Sequence, residues 1–202
     1  MMSDRPSVSP AYGEKSALPP GRPVPTPERV QELLFDAARL GRTDVIPALL
    51  HAGADLAAID PKGYTALILA SYNGHAEATE LLLQRGADIE QADAARGNTA
   101  LMGVAFKGYV EIVDMLLKAG ADAHASNKSG QTALMMAALF GHTAITQRIL
   151  ALGGDPHRQD GAGNSAISVA RSQGNEAMIE TLNAGNPYPI ERDDASNRAC
   201  GA

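Results

Sequence analysis

Five histidines, His51, His75, His124, His142 and His157, are the side chains of this chain best suited to hold a metal ion or move a proton. His51, His124 and His157 have no second His or Cys at ligand spacing, so no metal site is read from them. The single cysteine, Cys200, lies close to the C-terminus and has no partner for an intrachain disulfide or a thiolate cluster. "GAGNSA", Gly161 to Ala166, loosely matches a phosphate-cradling glycine loop, but it also falls on a recurring turn of the chain, which explains it better. There is no G-x-S-x-G elbow and no Ser, His and Asp in a hydrolase order. The acids Asp88, Glu90, Asp93 and Asp122 are expected to solvate loops rather than bind calcium or serve as acid and base. The reading is therefore of a non-enzymatic protein with no cofactor and no metal.

The totals restrict the remaining classes. A chain of 202 residues with 45% hydrophobic content holds one or two domains and can build a sizeable core. Aromatic residues make up only 4%, with no Trp, so that core must come from Ala, Leu, Ile, Val and Met in closely packed helices. A net charge of −6 argues against phosphate backbones and anionic lipid as partners, because both need clustered Lys and Arg. No apolar run has the length of a signal-peptide core or of a membrane span. A soluble, cytoplasmic protein that binds neither nucleic acid nor membrane is the expectation.

The elements that must position any site are set by a repeat. Gly63, Gly97, Gly130 and Gly163 follow one another at intervals of 34, 33 and 33 residues. Two more series, Gly41, Gly74, Gly108, Gly141, Gly174 and Gly53, Gly86, Gly120, Gly153, share that period. The interval of 34 falls in "DAARG", Asp93 to Gly97, where the matching "DPKG", "NKSG" and "DGAG" are one residue shorter, so one loop has gained a residue. Within a unit the apolar spacing is helical: Leu67, Ala70 and Ser71 share one face, and Ala78, Leu81 and Leu82 form a second stripe after Gly74. Helices of about eight to ten residues are too short to persist alone in water, so the units must stack on one another. Before them, seven of the twelve prolines crowd into the first 27 residues. That composition predicts a disordered arm over 1–27, whose "PPGRPVPTP" has the spacing of a polyproline ligand. Thr26, Pro27 and Glu28 then read as a helix start, and 185–202 as a loose tail.

The repeated segments "GYTALI" with "NGHAEATELLLQRGAD", "GNTALM" with "KGYVEIVDMLLKAGAD", "GQTALM" with "FGHTAITQRILALGGD", and "GNSAIS" with "QGNEAMIETLN" resemble the ankyrin repeat. That family's pattern is G-x-T-P-L-H, a short helix ending at G-H, a second helix with an L-L-L run, and G-A-D. The resemblance implies an all-α solenoid of about five helix-turn-helix units with β-hairpin-like finger loops, at about 28–60, 61–94, 95–127, 128–160 and 161–184. It implies structural roles for His75 and His142 at the G-H position, and N-caps at Thr65, Thr99, Thr132 and Ser165. The first unit lacks the turn motif. Ala replaces the family's Pro at 66, 100, 133 and 166, and Ile68, Met102, Met135 and Ser168 replace its His, exchanging turn hydrogen bonds for softer contact. Pro47 is expected to cost one backbone bond in the first outer helix. Polar residues on the first and last helices predict a capped, closed stack.

The resemblance also implies that the residues ahead of each helix-ending glycine, and those flanking each turn glycine, face a concave groove that grips a protein partner. At the helix ends these are Arg39 and Leu40, Tyr72 and Asn73, Phe106 and Lys107, Leu139 and Phe140, and Ser172 and Gln173. On the fingers they are Lys62, Tyr64, Arg96, Asn98, Lys128 and Gln131. Half of the eight aromatics, Tyr64, Tyr72, Phe106 and Phe140, fall in this set, and exposed rings ask for something to cover them. Arg39, Lys62, Arg96, Lys107 and Lys128 would make the face locally basic and suited to a partner with an acidic rim. The chain is expected to be a monomer on its own. It resembles small stand-alone ankyrin proteins of bacteria, some linked to catalase and oxidative defence. An accessory subunit of an enzyme or toxin system is therefore the alternative reading, and haem binding by the histidines ranks below both.

Overall fold

The structure, a computed structural model, describes residues 25–184; the readings made of the arm up to residue 24, of the 185–202 tail and of Cys200 lie outside the described residues. Ten helices follow in order: α1 (Pro27–Leu40), α2 (Ile46–His51), α3 (Ala66–Tyr72), α4 (Ala76–Gln84), α5 (Ala100–Lys107), α6 (Val110–Lys118), α7 (Ala133–Leu139), α8 (Thr143–Ala151), α9 (Ala166–Ser172) and α10 (Glu176–Ala184). The odd-numbered helices stack in one layer, each on the next from α1 to α9. In the second layer α4 packs on α6, α6 on α8 and α8 on α10. Apart from the 14 residues of α1, no described helix exceeds nine residues, so each owes its stability to burial against its neighbours.

That burial is aliphatic, as the composition required. Leu67, Leu101, Leu134 and Ile167 recur at one position of the inner helices, and Leu82, Leu116, Ile149 and Leu182 at one position of the outer ones, all nearly inaccessible. Ala66, Ala100, Ala133 and Ala166 occupy the place of the family's proline and are also buried, which lets adjacent inner helices approach closely.

Each inner helix starts on a side-chain cap. Thr26, Thr65, Thr99, Thr132 and Ser165 all have extended backbones and accept from the N–H three residues on, at 3.2 to 3.5 Å. Two expectations about helix starts are corrected. Ser168 does not exchange a hydrogen bond for apolar contact: its Oγ accepts from the Ser165 N–H at 2.8 Å, closing a reciprocal capping box. Pro47 costs no helical bond, because it lies in the first turn of α2, where backbone N–H groups have no partner within the helix.

The fingers carry an organising residue that the sequence reading assigned differently. Asp60 Oδ1 accepts from the Lys62 and Tyr64 N–H groups, both at 2.9 Å. Asn127 Oδ1 does the same for Ser129 and Gln131, and Asp160 Oδ1 for Ala162 and Asn164. Asp93, expected to solvate its loop, is 5% exposed and accepts from Arg96 and Asn98 at 2.6 and 2.9 Å. Its partners lie three and five residues on rather than two and four, so the inserted residue is absorbed inside this turn. Adjacent fingers then join by single backbone bonds, Ala94 to Gly63, Lys128 to Arg96 and Gly161 to Ser129, at 2.8 to 3.0 Å. The approach is close enough that a Cβ on Gly63, whose φ is +86°, would stand 2.7 Å from the Ala94 Cβ.

Candidate partner-binding groove

Three rings form a ladder along the C-terminal ends of the inner helices. Tyr72 and Phe106 lie 6.3 Å apart and nearly parallel, and Phe106 meets Phe140 edge-on at 4.4 Å. Tyr72 and Phe106 occupy equivalent positions of the second and third units, while the fourth unit has Leu139 there and supplies Phe140, the cap residue that follows α7, as the third ring. The rings stay outside the core, with Tyr72 41%, Phe106 37% and Phe140 46% exposed, and Leu139 between them 40%. Lys107 Nζ stands 5.1 Å from the centre of the Tyr72 ring, a cation held on an aromatic face.

Beneath the ladder the groove deepens into a cavity of about 480 Å³, roofed by Tyr72, Phe106, Leu139 and Phe140. Tyr64, Arg96 and Asn98 close it on the finger side. Its floor is made by residues that the motif reading did not single out as facing the groove: Ile68, Leu69, Met102, Gly103 and Met136. The signal for them was present in the repeat itself. Aligning the units on their helix-ending glycines puts Gly103 where the neighbouring inner helices carry Leu69, Met136 and Val169, so one unit lacks the side chain that would fill the space.

The remaining groove residues are brought into the same band but serve the scaffold. Arg39 bonds to the carboxylates of Asp36 and Asp60 at 2.9 and 3.2 Å, so the expectation that it adds free positive charge is corrected: two acids offset it. Asn73 donates to the Leu69 carbonyl at 2.7 Å and fastens the end of α3. Lys128 reaches back to the carbonyls of Ala94 and Ala95, and Gln131 accepts from Asn127. Ser172 donates to Val169, and Gln173 donates to the Leu139 carbonyl at 2.9 Å, tying the fifth unit to the fourth. Leu40 is 67% exposed and lies apart from the cavity. Lys62 and Arg96 make no side-chain hydrogen bond or ion pair among the described residues and leave their charges on the rim.

Two of the five histidines are built into the stack. His75 Nε2–H donates to the Arg39 carbonyl at 2.9 Å and His142 Nε2–H to the Phe106 carbonyl at 3.2 Å, each bridging to the preceding unit. Their rings lie flat against Gly41 and Gly108, where a Cβ would come within 2.6 Å of ring atoms. Asp122 and Asp155 accept from the backbone of His124 and His157 in tight turns.

A two-layer stack of helical hairpins joined by projecting fingers defines the class of protein, a solenoid of repeats. The family model described as ankyrin repeats, in three copies, matches residues 34–127 and again residues 101–190. The two matches together cover well over half of the 202-residue chain. The chain belongs to the ankyrin repeat family. Ankyrin repeats are in general modules of protein-protein interaction, and no described helix is long and apolar enough to cross a membrane.

Proposed function

We propose that this chain is a non-enzymatic binding module that holds one protein partner along its concave groove, with the second to fourth units as the contact. The observation that carries the reading is the ring ladder. Tyr72, Phe106 and Phe140 keep more than a third of their surface open in a protein that has few rings to expose. Packed against one another and backed by helices, they are already ordered, so a partner covering them loses little conformational entropy on the groove side. The polar residues that first suggested chemistry support the same view, because His75, His142 and Asp93 spend their hydrogen bonds on the scaffold.

The test is affinity capture with the wild type and with a variant carrying Tyr72→Ser, Phe106→Ser and Phe140→Ser, with thermal melts of both. The expected outcome is a Tm within a few degrees of the wild type and loss of the captured proteins. An unchanged set of captured proteins at a preserved Tm would remove the groove from consideration.

A further inference from the structure

Gly103 is the inner-helix position least explained by folding. It lies inside α5 with an ordinary helical backbone, so no turn requires a glycine there. Such a glycine destabilises a helix relative to alanine. A Cβ at this position would meet only Tyr72 Cδ2, at 3.3 Å, and that atom belongs to a half-exposed ring that can shift. The neighbouring units carry Leu69 and Met136 at the same register without distortion. The missing side chain has one visible consequence, which is the depth of the cavity beneath the ring ladder.

Resting on the groove reading above, we infer that the Gly103 cavity is a specificity pocket for one bulky apolar side chain, preferably aromatic, presented by an extended acidic segment of a protein partner. The size allows it, since a cavity of about 480 Å³ has ample room for one aromatic side chain. The walls fit as well: Ile68, Met102 and Met136 offer deformable apolar contact, and Phe106 offers an aromatic edge. The flanking acidity follows from charge. Arg96 lines the mouth, and Lys107 stands beside it on Tyr72. The one carboxylate in the lining, Asp93, is buried with its oxygens already accepting from Arg96 and Asn98. An incoming acidic residue therefore meets cations at the rim and no exposed carboxylate of the lining.

The probe is a fluorescein-labelled five-residue peptide with two acidic residues on each side of a central Phe. It is compared with the same peptide carrying Ala at the centre and with a Lys and Arg version retaining Phe. Anisotropy titrations use the full chain, wild type and with Gly103→Leu or Gly103→Ala. The acidic Phe peptide is expected to bind at least about tenfold more tightly than either comparison peptide, as burial of a Phe side chain allows. Gly103→Leu is expected to erase that preference with the Tm unchanged or raised, and Gly103→Ala to reduce it. Equal binding of the Phe and Ala peptides, or a Phe preference that survives Gly103→Leu in a folded chain, would overturn the pocket. If the triple serine variant loses its captured proteins while Gly103→Leu keeps the Phe preference, the pocket fails and the groove stands. A preference for the basic peptide, or self-association abolished by Gly103→Leu, would assign the pocket to another occupant and overturn the proposal.

Discussion

Two registers of the same repeat behave in opposite ways. At the base of the fingers the chain places Asp60, Asp93, Asn127 and Asp160, and each accepts two backbone N–H groups of its own turn. At the middle of the inner helices it places Asp36, Leu69, Gly103, Met136 and Val169, an acid, a glycine and three apolar residues of different shape. The first register answers to backbone geometry, which is the same in each finger, so its residue type barely changes. In the second, Leu69, Gly103 and Met136 line the cavity, where no repeated backbone group constrains them. Variation inside an otherwise regular stack therefore marks the surface free to specialise.

The strongest way to break the comparison is to cut the core that both registers rest on. Leu101→Ala, at a side chain 1% exposed, is expected to cost about 2 to 5 kcal/mol in urea denaturation. Leu139→Ala, at the groove edge, is expected to cost under about 1 kcal/mol by the same measurement. A near-equal cost at the two sites would contradict the division between core and groove.

The finger register is tested next. Asp93→Ala leaves the Arg96 and Asn98 N–H groups without an acceptor in a part-buried turn, and a loss of about 1 to 3 kcal/mol is expected. Asp93→Asn keeps only one of the two acceptor oxygens, because the Arg96 N–H bonds to Oδ1 and the Asn98 N–H to Oδ2, whereas Asn127 takes both of its bonds on one Oδ1. It should cost less than Asp93→Ala but not be neutral. An equal loss for Asn and for Ala would mean that the ionised carboxylate, with both oxygens accepting, holds the turn.

The smallest expected effect concerns pH. The Asn164 N–H, followed by the Ala162 N–H, holds the Asp160 carboxyl below its ordinary range. A carboxyl lowered in the folded state stabilises the fold above its unfolded value of about 4 and loses that contribution as the pH falls through the folded value. Stability measured between about pH 4 and pH 2 should therefore fall less steeply in Asp160→Asn than in the wild type. Identical slopes would show that the turn does not favour the ionised form.

Much of the architecture was legible in the chain because it is local. Thr65 and Thr99 are readable as caps because a cap and its acceptor bond lie three residues apart. Asp93 was misread because acids are usually solvated, and only the folded turn shows both of its bonds pointing inward. Ser168 was misread for a similar reason: its partner is a backbone N–H exposed by the bend before α9.

The sequence by itself determined the period and the helix starts, since glycine spacing, capping chemistry and apolar phase act within one unit. Tertiary structure alone decided that Asp60 joins Asp36 in offsetting Arg39, that Lys107 lies over Tyr72, and that the gap left at Gly103 opens into a cavity. Those outcomes depend on distances between side chains on different turns and units, which the packing of one helix on the next establishes and no local pattern records.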